Sequence, residues 1–219
     1  MDASKLIDGL ILYLGFIVLA TFHEFGHAWM AWKSGDDTAR LQGRVSLNPL
    51  VHIDLFGTIL VPLVMIFLNA SGSGLSRFMV GWARPVPVDR LRLRNPRLDD
   101  ILVTLAGPWM NLLLALLLMG VARAGVAFHV SAMSDVCINL ARLSLLLCFF
   151  NLLPLPPLDG SHVVRNLLNI SFETYVRFLG VGILLLIVVI NIPAVQMTLT
   201  RLTDLSLSIL AGWCGVPLS

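Results

Sequence analysis

Charged residues are scarce in this sequence. Lys, Arg, Asp and Glu make up 13% of its 219 residues, whereas they account for about 25% of a typical soluble domain. Hydrophobic residues make up 57%, and the mean hydropathy is +0.87. Because the excess of apolar residues lies in long runs, the composition predicts an integral membrane protein rather than a soluble enzyme with a large core.

Cysteine is also scarce, and the net charge is small. Cys137, Cys148 and Cys214 show no CxxC spacing, which excludes a disulfide framework and a thiolate metal site. A formal charge of +2 gives no reason to expect a nucleic-acid partner, and the basic residues cluster in loops, as membrane topology favours. No small-residue cleavage site follows the first apolar run, so we do not expect a signal peptide there.

Six apolar segments follow one another, at residues 6–32, 55–68, 101–122, 136–153, 176–192 and 199–213. A membrane-spanning helix needs roughly 17–25 apolar residues, a length that the first, third, fourth and fifth segments reach. The second is short and contains Pro62. The sixth has one apolar face, which indicates an interfacial helix or a weak last span.

These segments predict an all-α polytopic membrane protein with about five or six membrane segments, forming one integral-membrane domain over residues 1–219. Two polar stretches, residues 33–54 and 71–100, separate the first three apolar segments. The motif "RPVPVDRL" in the second stretch has extended, turn-broken character. We therefore expect a partly extended region here, with residues 55–68 either crossing the membrane or forming a re-entrant hairpin.

The motif "HEFGH" lies inside the first apolar run. On a helix, His23 and His27 are one turn apart, so both imidazoles can reach one metal ion. Glu24 falls on the same arc. In HExxH helices the two histidines bind zinc and the glutamate acts as general base. Ionisable residues within a span are rare and mostly functional, which favours a catalytic metal site.

A catalytic zinc usually has three protein ligands, and Asp159 in "NLLPLPPLDGSH" is the best third candidate. The prolines before it break the fourth apolar helix locally. Irregular backbone at membrane depth is tolerated where it is buried in protein or lines a wet cavity. From the local sequence alone, a metal ligand and a helix-capping aspartate are equally good interpretations.

Three motifs in order, "HEFGH", "AGPWMN" and "NLLPLPPLDG", resemble those of the site-2 protease family of intramembrane zinc metalloproteases. The segments "GDDTARLQGRVSLNPLVHIDLFGT" and "GWARPVPVDRLRLRNPR" are similar to its compact bacterial-type branch. The resemblance extends over residues 15–165, with a catalytic core at about residues 6–165, and no PDZ or CBS module is recognisable.

The resemblance implies one Zn²⁺ per chain, with His23, His27 and Asp159 as ligands and Glu24 as the catalytic glutamate. It also implies two asparagines at the site. Asn151 is expected near the substrate or the oxyanion. Asn111, in the glycine-proline motif, is expected to donate to an oxyanion or peptide backbone, or else to form a helix–helix hydrogen bond.

Two further histidines are candidates for contacts around the metal ligands. His52 in "NPLVHID" could approach the metal, hydrogen-bond Asp54 or cap local structure, and a structural or supporting role is favoured. His162 follows Asp159 by three residues and is expected to touch the groups around the ligands.

The implied function is a zinc endopeptidase that cuts transmembrane or membrane-proximal segments of other proteins in the bilayer. The alternative is a membrane metal-binding or metal-transport protein without protease activity. At 1.5 Å per residue, the metal lies roughly 9–15 Å below the face that carries Lys33. The positive-inside rule predicts that this face is cytosolic, and the resemblance to the bacterial-type branch implies a bacterial or archaeal cell membrane. Because Asp159 must reach the same ion, residues 33–100 must begin and end at one face.

Overall fold

Long helices dominate the computed structural model, which describes residues 3–70 and 81–218, with side chains for residues 5–68 and 81–218. The α-helices are α1 (Ala3–Lys33), α2 (Thr38–Leu41), α3 (Val61–Ala70), α4 (Leu98–Ala127), α5 (Ser131–Asn151), α6 (Asp159–Leu167), α7 (Phe172–Ile190) and α8 (Pro193–Cys214). A π-helical turn (Leu55–Leu60) and two 3-10 turns (Pro49–Val51 and Arg90–Arg92) complete the helical structure. No β-strand occurs in the described ranges, so the all-α prediction is confirmed.

Four of these helices are long and apolar enough to cross a membrane. They are Lys5–Lys33, Leu98–Ala127, Ser131–Asn151 and Phe172–Ile190, which correspond to the first, third, fourth and fifth predicted runs. The last segment forms α8, which begins at a proline and ends at Gly215 in the left-handed conformation (φ 66°). Leu207 and Leu210 of α8 are buried in one cluster with Leu145 of α5.

Small residues bring the central helices close together. Ala115 and Ala122 of α4 and Ala141 of α5 are fully buried in one cluster, and the Ser144 hydroxyl donates to the Asn111 carbonyl across the interface at 2.7 Å. Between α1 and α4, a Cβ atom on Gly26 would lie 2.7 Å from the Ala106 carbonyl oxygen. Such contacts are typical of packed membrane helices, and they fix HEFGH against α4.

The end of α1 and the start of α4 lie side by side. The Arg94 backbone N–H donates to the Ser34 carbonyl at 3.0 Å, and the Asp89 N–H donates to the Asp36 carboxylate at 2.7 Å. The region between the first and third runs therefore begins and ends at one face, as binding of one ion by α1 and Asp159 requires. We refer to the face of the protein at which α1 ends and α4 begins as the ligand face.

The second apolar segment leaves this region and returns to it. Its π-helical turn leads into α3, where Ile66 packs against Gly9 of α1. On the return, the Trp82 N–H donates to the Gly57 carbonyl at 3.1 Å, and residues 71–80 lie outside the described residues. The helix Leu55–Leu68 is shorter than the span candidates. Gly9 lies 24 residues before Lys33, so α3 runs along α1 away from the ligand face.

Candidate metal centre

Three side chains from distant parts of the sequence converge on one point. Nε2 of His23 lies 3.0 Å from Nε2 of His27. Oδ2 of Asp159 lies 3.1 Å from the first nitrogen and 3.4 Å from the second. Both histidines are buried, and Asp159 is partly buried. The structure thus brings together the three residues that the sequence predicted as metal ligands.

The triangle of ligand atoms fits a tetrahedral zinc ion. With bonds of about 2.0–2.1 Å to nitrogen and oxygen, ligand atoms at tetrahedral angles are about 3.3 Å apart. Apart from the two Nε2 atoms, the buried Oδ2 of Asp159 has no polar neighbour at hydrogen-bond distance among the described residues. A buried carboxylate oxygen without a partner is costly, and a cation between the three ligand atoms removes that cost.

The second ring nitrogen of each histidine has a fixed neighbour. Nδ1 of His27 donates to the Val103 carbonyl of α4 at 2.7 Å, which leaves the Nε2 lone pair free for the metal. The side-chain nitrogen of Asn111 lies 3.2 Å from Nδ1 of His23. Metal-binding histidines in general donate their other ring N–H to a carbonyl or carboxylate, which orients the ring.

The Asn111 amide can complete the same arrangement for His23. Asn111 is fully buried, and its Oδ1 has no hydrogen-bond partner. Rotating the amide by 180° exchanges Oδ1 and Nδ2, so Oδ1 accepts from Nδ1–H of His23. In that orientation both histidines present an unprotonated Nε2 to the metal, and the unsatisfied oxygen gains a donor.

Gly107 of "AGPWMN" leaves space for the two imidazoles. A Cβ atom at this position would collide with Nε2 of His27 and would lie 2.7 Å from Nε2 of His23. The following Pro108 is inside α4, so the motif combines a missing side chain with a missing backbone N–H at one point of the helix. Only glycine is compatible with this close approach of α4 to the ligands.

Asp159 reaches the histidines because the helix α5 ends early. The chain leaves α5 at Asn151, passes through a proline-rich turn and begins α6 at Asp159 itself. A Cβ on Gly160 would collide with the Leu152 carbonyl, so the turn folds tightly back on itself.

Glu24 and the ligands line one cavity of about 400 Å³. The Glu24 carboxylate accepts a hydrogen bond from the Val86 backbone N–H at 3.1 Å. Residues 81–88, which have no helical structure, pass along this cavity and contribute Trp82 and Pro85 to its wall. The first six residues of "RPVPVDRL" are therefore non-helical, and part of this segment lies at the site.

The other predicted site residues have different positions. Asn151 and His162 line the cavity; Asn151 donates to the Leu147 carbonyl at 2.9 Å, and burial lowers the pKa of His162. His52 is not among the cavity-lining residues. Its Nε2 lies 2.9 Å from the Ser46 carbonyl oxygen, and its own carbonyl accepts from the Arg84 N–H. His52 thus braces the loop beside the site.

Sequence reasoning missed three contributors to the site. The Val103 carbonyl and the Val86 N–H are backbone groups, for which the residue type gives no signal. Gly107 did carry a signal, because a glycine next to a proline inside a long apolar helix usually has a packing reason.

The comparisons with known proteins agree with one another. The profile of the family described as "Peptidase family M50" matches residues 11–131 and 125–189. The chain is 44% identical over 163 residues to YwhC of Bacillus subtilis, an alignment that covers 71% of this chain and 68% of YwhC. It is 32% identical to Rip2 of Mycolicibacterium smegmatis and 34% identical to Rip2 of Mycobacterium tuberculosis.

These alignments cover 58% and 52% of the two Rip2 proteins, and 73% and 67% of this chain. The chain therefore spans about two thirds of YwhC and little more than half of either Rip2 protein. All three relatives carry the description "Putative zinc metalloprotease". No solved structure matches the chain.

Proposed function

Because this chain belongs to peptidase family M50, the site-2 protease family, and is a membrane zinc metalloprotease, we propose that it cuts transmembrane or membrane-proximal segments of other membrane proteins. One observation carries this proposal: the three converging ligand atoms lie beside Glu24 in a cavity between helices long enough to cross a bilayer. A soluble substrate would not require a catalyst at this position.

The zinc ion and the protein side chains would contribute different parts of the hydrolysis reaction. His23, His27 and Asp159 would hold the zinc ion, which would supply Lewis acidity when bound. Glu24 takes the proton from the attacking water and returns a proton to the leaving amine. The Val86 N–H holds the Glu24 carboxylate in place. Asn151 lies in the cavity wall, where its amide can donate to the developing oxyanion.

Residues 81–88 provide an edge for an extended substrate. The N–H groups of Trp82, Arg84 and Val86 point into the protein, towards the Gly57 carbonyl, the His52 carbonyl and Glu24 respectively. Successive residues of an extended chain point to opposite sides, so the backbone groups of Ala83 and its odd-numbered neighbours face away. The Ala83 N–H has no hydrogen-bond partner among the described residues.

A substrate strand can add to this edge. It would pair with the N–H and carbonyl of Ala83 and donate to the carbonyls of Pro85 and Pro87, because proline offers an acceptor but no donor. The same prolines discourage uncontrolled pairing with other strands. A substrate helix must therefore unwind locally before it is cut, and its main chain is held beside Glu24.

The ligand face is proposed to be cytosolic. It carries Lys33, Arg40, Arg92 and Arg94, whereas Arg123 lies near the opposite end of α4. An excess of Lys and Arg in the loops at one face marks the cytosolic side. The regulated cleavage of membrane proteins from within the bilayer is accordingly proposed to start from the cytosolic half of the membrane.

The test uses the purified chain in lipid nanodiscs with a single-span test peptide. We expect Glu24→Gln to keep its zinc and lose cleavage by roughly 10²–10⁴-fold, because an amide cannot accept the proton. His23→Ala should lose zinc and cleavage together. Cleavage by Glu24→Gln within tenfold of wild type would refute the assigned base, and full zinc content in His23→Ala would refute the ligand set.

A further inference from the structure

A second polar cavity of about 210 Å³ lies at the ligand face, away from the metal ligands. Its wall includes three guanidinium groups, those of Arg90, Arg97 and Arg165, and the residues that precede α7. We propose that this cavity binds a phosphate group, and that the headgroup of an anionic phospholipid supplies it. This site is independent of peptide hydrolysis and goes beyond the proposed function.

The charges at this cavity are not balanced within the described residues. Asp100 pairs with Arg165 at 2.7 Å and with Arg90 at 3.4 Å. Arg97 is exposed and has no ion pair with any described residue. One carboxylate against three guanidinium groups leaves an excess of two positive charges. Arginine is the side chain best suited to hold phosphate, because its planar donors match the phosphate oxygens.

Arg165 gives the second, independent sign of a ligand. The side chain is 1% exposed, and only its Nη2 has an acceptor, the Asp100 carboxylate. Nε and Nη1 are buried and have no hydrogen-bond partner among the residues that the structure describes. The rings of Phe172 and Tyr175 lie over the guanidinium group, but a ring face is only a partial substitute for an oxygen acceptor. Phosphate oxygens in the cavity would provide the missing acceptors.

The start of α7 adds the positive end of a helix dipole, and Glu173 in its first turn adds one negative charge. Ser171 caps this 19-residue helix by accepting from the Thr174 N–H at 3.2 Å. The positive end of the helix dipole therefore points towards the cavity wall that Ser171 and Phe172 form. Helix N-termini of this kind stabilise phosphate groups.

The surroundings favour a lipid as the source of the phosphate. The cavity lies where two span candidates begin, α4 at Leu98 and α7 at Phe172. Leu91, Leu98, Leu168 and Phe172 are 93%, 61%, 67% and 56% exposed. A polar cavity with exposed apolar side chains around it suits a headgroup whose acyl chains continue along the protein. A bound lipid would also brace α6, which carries Asp159 at its start.

The test measures lipid retention by the full chain in phosphatidylcholine nanodiscs that contain increasing fractions of phosphatidylglycerol. Native mass spectrometry counts the anionic lipid molecules that remain bound to the protein after the protein is released from the nanodiscs. We expect one tightly held lipid in wild type, a roughly tenfold weaker affinity in Arg97→Gln, and a smaller loss in Arg97→Lys, which keeps the charge but not the planar donors. Arg40→Gln is the matched control, since Arg40 lies at the same face, stacked over Trp32 and outside the cavity.

A second arm separates the two sources of phosphate. Inorganic phosphate is added to the chain in nanodiscs of pure phosphatidylcholine, and the thermal unfolding midpoint is recorded. We expect no rise in that midpoint and no displacement of phosphatidylglycerol. A rise that depends on Arg97 would keep the phosphate site but make its ligand a soluble phosphate. Equal retention of phosphatidylglycerol by wild type, Arg97→Gln and Arg40→Gln, with no effect of inorganic phosphate, would overturn the proposal.

Discussion

At the scale of single residues, the metal centre depends as much on the neighbours of the ligands as on the ligands themselves. The HExxH spacing predicted His23 and His27 as a metal-binding pair, and the structure brings their Nε2 atoms within 3.0 Å of each other. Their orientation was not predictable, because it depends on the Val103 carbonyl and the Asn111 amide of α4. These contacts arise only when α1 packs on α4.

We predict that Asn111 orients His23 and thereby controls metal affinity. Asn111→Leu keeps the buried volume but removes the acceptor for Nδ1–H, so zinc affinity should fall roughly 10–100-fold. Zinc content after dialysis against a graded chelator series measures the effect. Asn151→Leu is the control: it should reduce cleavage but keep zinc. Equal zinc retention by the two variants would make Asn111 a packing residue only.

Gly107→Ala tests whether the close approach of α4 to the imidazoles is needed. The added methyl group would collide with the His27 ring and lie against that of His23, so we expect most of the bound zinc to be lost. Gly120→Ala in the same helix is the control, because a Cβ atom there meets nothing within 4 Å and alanine favours helices. If both variants bind zinc like wild type, the helices can separate without cost and Gly107 is not required.

At the scale of elements, long apolar runs predicted α1, α4, α5 and α7 because membrane thickness sets a minimum length for a span. Residues 55–68 could not be assigned in the same way. Their arrangement depends on a contact with a later part of the chain, because the return to the Gly57 carbonyl is made 25 residues later by Trp82. The proline-rich turn that carries Asp159 was predicted as a broken helix, but its closeness to the histidines followed only from the family resemblance.

Residues 81–88 are the element through which we expect substrates to bind. Ala83→Pro removes the one N–H donor that faces away from the protein in the middle of this segment, and the extended backbone accommodates proline. We predict a several-fold to tenfold higher KM with little change in zinc content. Ala83→Ser retains the N–H and should behave like wild type. Unchanged kinetics in Ala83→Pro would show that the substrate does not pair with this edge.

At the scale of the whole molecule, the end of α1 and the start of α6, which carries Asp159, must lie at one face. The end of α1 is hydrogen-bonded to the segment that leads into α4. Polar groups at this depth need water or protein partners. The cavity beside Glu24 meets this need between the helices, and basic side chains lie around the ligand face.

Single cysteines at the two faces of the protein test its orientation in the membrane. Cys137 and Cys148 are buried, so a Cys214→Ser background leaves little reactive thiol. Leu41 at the ligand face is 74% exposed, and Phe128 at the opposite end of α4 is 76% exposed. The two test variants are therefore Leu41→Cys and Phe128→Cys. A membrane-impermeant thiol reagent should label the second in intact cells and the first only in inverted vesicles. The reverse pattern would place the ligand face outside the cell.

The central claim is that Glu24, beside a zinc site of His23, His27 and Asp159, cuts other proteins within or next to the bilayer. The most direct measurement maps new N-termini in the membrane proteome of cells that carry wild type or Glu24→Gln, with the zinc content of both proteins determined in parallel. We predict equal zinc, and wild-type-specific termini that fall in or beside transmembrane segments. Identical termini in both cell lines, or wild-type-specific termini only in soluble regions distant from the membrane, would contradict the claim.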